Sequence, residues 1–311
     1  MSPVFTYRLI SPLLKLLLAA SLLWMMSPRL PALMHMHEVV IVKSSDNVFF
    51  EKSAETLIDH ADESLSFRVI LPDQLDTELA ADQDSRLFVA FGAPALDALR
   101  QFDANASVIS AYLTLEQYRD LAIDDQLAIL LDQPPDRYLA FSKLLLDPET
   151  IGVILEDELE SDATLAASMQ EHGLTLNRYR LDADNKLMPV LRDLFRENDA
   201  LLMLPRNSIY NPDTLKAVLL TSYRNRKPAI SYSPAHVRAG ALASIYSSPV
   251  DIGRHLAQIV NQRLEHPASL APGYEYARFY SIATNPSVAQ ALELDLLDES
   301  EIRSGLDRVK P

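Results

Sequence analysis

The chain contains no cysteine. That excludes a disulfide framework, thiolate metal sites and a lipid-bearing N-terminal cysteine. A chain of 311 residues can bury a sufficient core without disulfides. Catalytic signatures are missing as well. There is no G-x-G-x-x-G turn, no Walker loop, no G-x-S-x-G elbow and no H-E-x-x-H pair. The seven histidines are scattered; His236 and His255 read as capping or surface residues. His35-x-His37 offers at most an adventitious Cu(II) chelate at a processed N-terminus. No catalytic residue, cofactor or functional metal is assigned, and the expectation is a protein that is not an enzyme. Basic residues are scarce too, with 28 Lys and Arg against 43 Asp and Glu. An acidic chain is a poor partner for nucleic acid.

No apolar run is long enough to span a bilayer, which takes about 20 residues. The nearest approach is Leu16 to Met26, preceded by Arg8 and Lys15 and followed by Pro28, Pro31 and Ala32. This pattern predicts a secretory signal peptide over 1–32 and a periplasmic location. An uncleaved membrane anchor is the alternative. Lys15 disfavours it, because a span of sufficient length would bury that charge.

Beyond residue 37, apolar strands alternate with amphipathic helices, as a mostly parallel sheet requires. Strands are predicted at Val39–Val42, Phe67–Leu71, Leu87–Phe91, Val108–Leu113 and Leu127–Leu131. Helices are predicted at Asn47–Ala61, Thr77–Ala81 and Pro94–Phe102. Asp132-Gln133-Pro134-Pro135 interrupts the order. The same pattern then restarts, with strands at Thr150–Leu155, Leu174–Tyr179, Ala200–Leu204 and Ala229–Ser231. Its helices are Asp136–Leu146, Asp162–His172, Leu187–Glu197 and Pro212–Tyr223. Ala241–Ser247 is expected to lead the chain back to the first half. A helix built on Ile252, Leu256, Ile259, Val260 and Leu264 follows, then a strand at Phe279–Ala283 that crosses again and a short helix at Ser287–Leu292. The fold class expected is α/β, two Rossmann-like lobes with mostly parallel sheets joined by a multi-strand hinge. Lobe 1 is placed at 37–133 and 248–275, lobe 2 at 134–247 and 276–311.

The densest chemical signal is ISYSPAHVRAGALASIYSSPVDIGRH, from Ile230 to His255. Two apolar strand ends there run into hydroxyl-rich loops, and ligands of open α/β sheets bind at that carboxyl edge. Tyr232, Ser233 and Tyr246 are candidate ligand contacts, against the plainer reading of tyrosines half-buried at a sheet edge. Ser44, Ser45 and Asp46 follow the first strand; they suit a ligand carboxylate at a helix start, or an ordinary N-cap. Gly92 and Ala93 open a helix with free N–H groups, as many strand-to-helix turns do. Tyr112 and Tyr210 also stand at or beyond strand ends. Asp157 suits a ligand ammonium, beside a solvated acidic run as its plainer reading. Arg206 and Asn207 suit a carboxylate, Arg bidentately.

Three segments carry a resemblance: LLDQPPDRYLAFSKLLLDPETIGVILED, YNPDTLKAVLLTSYRNRKPAISYSPAHVRAGALASIYSSPVDIGRHLAQIV and FYSIATNPSVAQALEL. Together they resemble the ABC transporter substrate-binding protein family, in a branch often labelled uncharacterised. Many of those relatives carry an N-x-T-G pattern just after the first crossing, where this chain has Asp132 to Arg137. The resemblance implies a type I periplasmic-binding fold that traps a small polar solute, amino-acid-like in kind, and passes it to an ABC permease in the inner membrane. A monomer is expected. A sensory or accessory module of the same fold is the alternative.

Overall fold

Apolar residues at consecutive strand positions point alternately to opposite faces of a sheet, so a strand that is apolar throughout must be covered on both. In Glu38–Lys43, Val39 and Ile41 enter one hydrophobic cluster while Val40 and Val42 enter another. The computed structural model describes residues 38–79, 86–123, 126–155, 168–170, 172–181, 186–266 and 271–307. The expected signal peptide, most of the Asp162–His172 helix and Asp157 lie outside them.

The first part of the chain runs β1 (Glu38–Lys43), α1 (Val48–His60), β2 (Ser66–Ile70), α2 (Leu75–Glu78), β3 (Arg86–Phe91), α3 (Ala93–Phe102), β4 (Val108–Leu113), α4 (Leu115–Asp120) and β5 (Leu127–Leu130). Then come α5 (Pro135–Leu146), β6 (Thr150–Leu155), β7 (Thr175–Arg180), α6 (Leu187–Glu197), β8 (Ala200–Leu202), α7 (Pro212–Arg224), β9 (Ala229–Ser231), α8 (Pro234–Ala239) and β10 (Ala243–Tyr246). The end of the chain adds α9 (Pro249–Glu265), β11 (Gly273–Tyr276), β12 (Ser281–Thr284), α10 (Pro286–Leu292) and α11 (Glu299–Leu306).

Two six-stranded sheets result, ordered β11-β5-β4-β3-β1-β2 and β12-β10-β9-β8-β6-β7. The orders correspond strand for strand, as the restarted pattern predicts. All pairs are parallel except β10 with β12. Ala241–Ser247 does not itself return the chain to the first lobe: β10 pairs with β9 in the second sheet, Ala243 opposite Ile230. The return comes after Tyr246, and α9 then packs on α1. Three elements escape the sequence pattern, among them the final helix α11. β11 is a four-residue edge strand reading Gly-Tyr-Glu-Tyr, with no apolar run to betray it. α4 is a six-residue helix begun by a Thr114 capping box.

The chain crosses between the sheets after β5, after β10 and after β11. Polar side chains tie these crossings together. The Gln133 amide donates to Ser247 Oγ at 2.9 Å, and Ser247 Oγ donates to the Phe279 carbonyl at 3.0 Å. Arg137 donates to Gln133 Oε1 at 2.6 Å and to the Ala277 carbonyl at 3.0 Å. Its guanidinium also lies 4.8 Å from the centre of the Tyr280 ring. Bonds from a charged donor to buried acceptors are the stronger kind. We therefore expect Arg137→Met to lower unfolding stability by about 2 kcal/mol in a urea titration followed by circular dichroism. An unchanged midpoint would show that the crossings hold without it.

Candidate ligand-binding cleft

The carboxyl ends of both sheets deliver the loops singled out in the sequence, but the loops divide sharply in what they do. Ser44 is spent inside lobe 1. Its hydroxyl donates to the Phe91 carbonyl at 2.6 Å and accepts from Ala95 N–H at 3.0 Å, capping α3 from a neighbouring strand end. Gly92 closes that corner at φ +87°, and a Cβ there would come within 2.9 Å of Ser44 Oγ. Ala93 begins α3 beside it. Ser45 is exposed and accepts from the Asn47 amide at 2.9 Å. Asp46 is exposed and paired with the buried Lys43 ammonium at 3.2 Å.

Tyr112 turns inward. It sits at φ +64° where the β4–β5 register shifts, a conformation rare outside glycine. That twist aims the ring at Phe50 and Phe91, with centroids 4.9 and 5.4 Å away. Its hydroxyl bonds to Ser53 Oγ, and burial pushes its pKa up to about 12. The plain reading therefore describes the side chains of Ser44 and Tyr112 better than the ligand reading.

In lobe 2, Ser233 caps α8 by accepting from Ala235 N–H at 3.2 Å. Asn207 is exposed, and its carbonyl accepts from the Asn211 amide. Tyr246 is half-buried, and burial followed by the Asp251 and Glu299 carboxylates raises its pKa. Tyr210 is 3% exposed, and its hydroxyl finds no hydrogen-bond partner among the described residues. Its ring lies 6.5 Å from that of Tyr232, which in turn meets the His236 ring edge-on at 4.9 Å.

Two of the expected residues, Arg206 and Tyr232, come together around an acid that sequence reasoning took only for part of a crossing. Asp132 follows β5 and is 8% exposed. Its carboxylate accepts from the Leu115 N–H at 2.8 Å. Burial raises its pKa to about 6, against the lowering effects of the Leu115 bond and the Arg206 charge. Tyr232 feels that carboxylate, and its own pKa, raised mainly by burial, reaches about 12. Burial, then the Asp132 charge, raises the pKa of Tyr138 well above its usual value, the Gln133 backbone N–H offsetting part of the rise, and its hydroxyl has no hydrogen-bond partner of good geometry. Arg206 reaches across from lobe 2 to lobe 1, where its guanidinium lies 3.6 Å from Glu116 on α4.

Beside Asp132 lies a cavity of about 70 Å³. Leu115, Asp132 and Tyr276 border it from the strands and helices of the first sheet. Tyr138, Leu139, Val153, Leu176, Leu202, Leu204 and Arg206 continue it into lobe 2. Its walls are thus mostly apolar, with Asp132, Gln133, Arg206 and the tyrosines Tyr138 and Tyr276 supplying the polar groups, the usual make-up of a small-molecule site. The signal that could have pointed here was Asp132 itself, an acid one residue beyond a four-residue strand that is buried throughout. Among the described residues no three His, Asp or Glu side chains gather as a metal site, and no helix is long and apolar enough to cross a membrane.

No protein-family model and no curated protein matches the chain. Solved structures do match. A substrate-binding protein with adhesive properties from Clostridium difficile, in its ligand-free open form, aligns with a TM-score of 0.64 at 13% identity, over 85% of this chain and 97% of that one. An ABC domain in complex with L-Trp from Streptococcus pneumonia aligns at 0.53 and 18% identity, over 85% and 98%. The arabinose-binding protein AraP from Geobacillus stearothermophilus aligns at 0.50 and 12%, over 82% and 98%. At these identities the likeness is one of fold: the chain has the two-lobed α/β architecture of type I periplasmic solute-binding proteins.

Proposed function

We propose that the protein is an extracytoplasmic solute-binding protein. It traps a small polar solute, amino-acid-like in carrying a charged nitrogen, between its lobes and presents it to an ABC-type importer. It acts as a periplasmic monomer and makes or breaks no bond in its guest. The reading rests above all on the place of the cavity, where both lobes surround a buried acid and the Arg206–Glu116 pair spans the gap. A solute touching both lobes favours the closed arrangement over the open one, and that difference in affinity is what a membrane partner can read. Proteins of this fold include ones described as binding L-Trp and arabinose, which supports solute capture without choosing the solute. Of the thirteen residues picked from the sequence, Arg206 and Tyr232 are retained as contacts, joined now by Asp132 and Tyr138. Thermal-shift screening of small metabolites tests the reading. A true guest stabilises the native state by RT ln(1 + [L]/Kd), so the melting temperature rises with its concentration, and it is recovered unchanged. A panel without any stabilising metabolite, or a guest returned chemically altered, would overturn it.

A further inference from the structure

Resting on that solute-binding reading, we propose that the cavity selects a primary ammonium on a compact apolar body, and that a carboxylate on the guest contributes nothing. The argument is one of unmet charge. Asp132 is the buried acid of the cavity wall, and among the described residues it forms no ion pair; its carboxylate takes only backbone N–H groups, those of Leu115 and of Asp132 itself. The cation it feels is Arg206, and that guanidinium is already shared with Glu116 at 3.6 Å and the Pro205 carbonyl at 3.0 Å. Gln133, also on the cavity wall, spends both ends of its amide on Ser247 and Arg137. With Glu116 and Arg206 compensating each other, the cluster of Asp132, Glu116 and Arg206 carries one surplus negative charge. A buried charge without a partner is costly, and a guest cation removes that cost.

The rest of the site limits the guest's shape. Leu139, Val153, Leu176, Leu202 and Leu204 offer no polar group to a side chain entering lobe 2. At roughly 10–15 Å³ of such space per water-sized atom, the 70 Å³ cavity holds about five to seven atoms. Isoamylamine, with five carbons and one nitrogen, has that size and charge. Leucine adds a carboxylate that must sit beside Asp132 and Glu116, with an Arg206 whose charge is already neutralised. Isovalerate reverses the sign of the head group, and isoamyl alcohol removes the charge.

Calorimetric titration of these four compounds into the purified protein at about pH 7.5 tests the inference. Isoamylamine binds, leucine binds no more tightly, isoamyl alcohol binds at least about tenfold more weakly, and isovalerate gives no binding heat. Asp132→Asn weakens isoamylamine about a hundredfold and leaves isoamyl alcohol within about threefold. Lowering the pH to about 5 protonates Asp132 and weakens the amine about tenfold. The groups facing that carboxylate are Glu116 from α4, Arg206 from the loop after β8, Tyr138 from α5 and Tyr232 beyond β9. The tyrosines stay neutral throughout this range, and the pH effect persists in Glu116→Gln. Leucine binding at least about tenfold tighter than the amine, or alcohol and amine binding equally, overturns amine selectivity and leaves solute capture standing. If none of the four binds while some other metabolite does, the inference fails alone. If no metabolite stabilises the protein at all, the functional reading fails with it.

Discussion

Replacing Gly253 by valine will lower the stability of the protein by about 3 kcal/mol, seen as an earlier urea midpoint by circular dichroism. Gly253 lies in α9 where that helix meets α1. A Cβ at this position would stand 2.6 Å from the Ser53 carbonyl oxygen and 2.7 Å from Thr56 Cβ. A carbonyl oxygen in the middle of a helix cannot step aside as the end of a side chain can. The two helices are also fastened at both ends of the contact. Ser53 Oγ donates to the Pro249 carbonyl at 2.7 Å, and Asn261 bonds to Asp62 N–H at 2.8 Å and to the His60 carbonyl at 3.2 Å. The added volume therefore has to push α9 off lobe 1 as a body, exposing Ile252, Leu256 and Ile259, all buried there. Gly253→Ala should cost less, because alanine regains about 1 kcal/mol of helix propensity while bringing the same first clash. A valine variant as stable as the parent would mean that the helices separate freely, and the close-packed account of lobe 1 would fall.

Asp132→Asn will do the reverse and stabilise the ligand-free protein at neutral pH, by roughly 3 kcal/mol. Its carboxyl is raised from 3.8 to about 6, chiefly by burial. A carboxyl harder to ionise in the folded chain than in the unfolded one binds its proton more tightly when folded. Its contribution to stability is therefore fully present below about pH 3.8 and is lost as the pH climbs through about 6. Asparagine carries no such charge, and its oxygen can still accept the Leu115 N–H. Melting curves across this range should show the variant and the parent nearly together in acid and drawing apart by about pH 7. At that pH the variant should melt roughly 6–12 °C higher, at about 2–4 °C for each kcal/mol. The same substitution forfeits amine binding, the familiar exchange of function for stability at a site built around a strained charge. A variant less stable than the parent at every pH would show that Asp132 serves folding rather than a guest.

The alternation of strands and helices, its restart after Asp132 to Pro135 and most helices were legible in the order of residues, because those features are written in local periodicity. Val39 to Val42, Leu87 to Phe91 and Ile151 to Leu155 are apolar at every step, and only a strand covered on both faces needs that pattern. Of the candidate site, the loops at the strand ends were legible, but not what their side chains bond to. Tyr112 stood at a strand end as expected, yet a register shift with φ +64° turned it into the core. Ser44 stood in the expected loop, yet a helix start from the next strand claimed its hydroxyl. Asp132 stood only as the start of the Asp132-Gln133-Pro134-Pro135 interruption, and became the buried acid of the cavity because strands and helices distant in sequence close around it. Sequence alone thus determined the repeated α/β plan and the edges at which loops gather. Tertiary structure decided which side chains on those edges remain available to a guest, since burial and partnership depend on what folds against a residue from far along the chain.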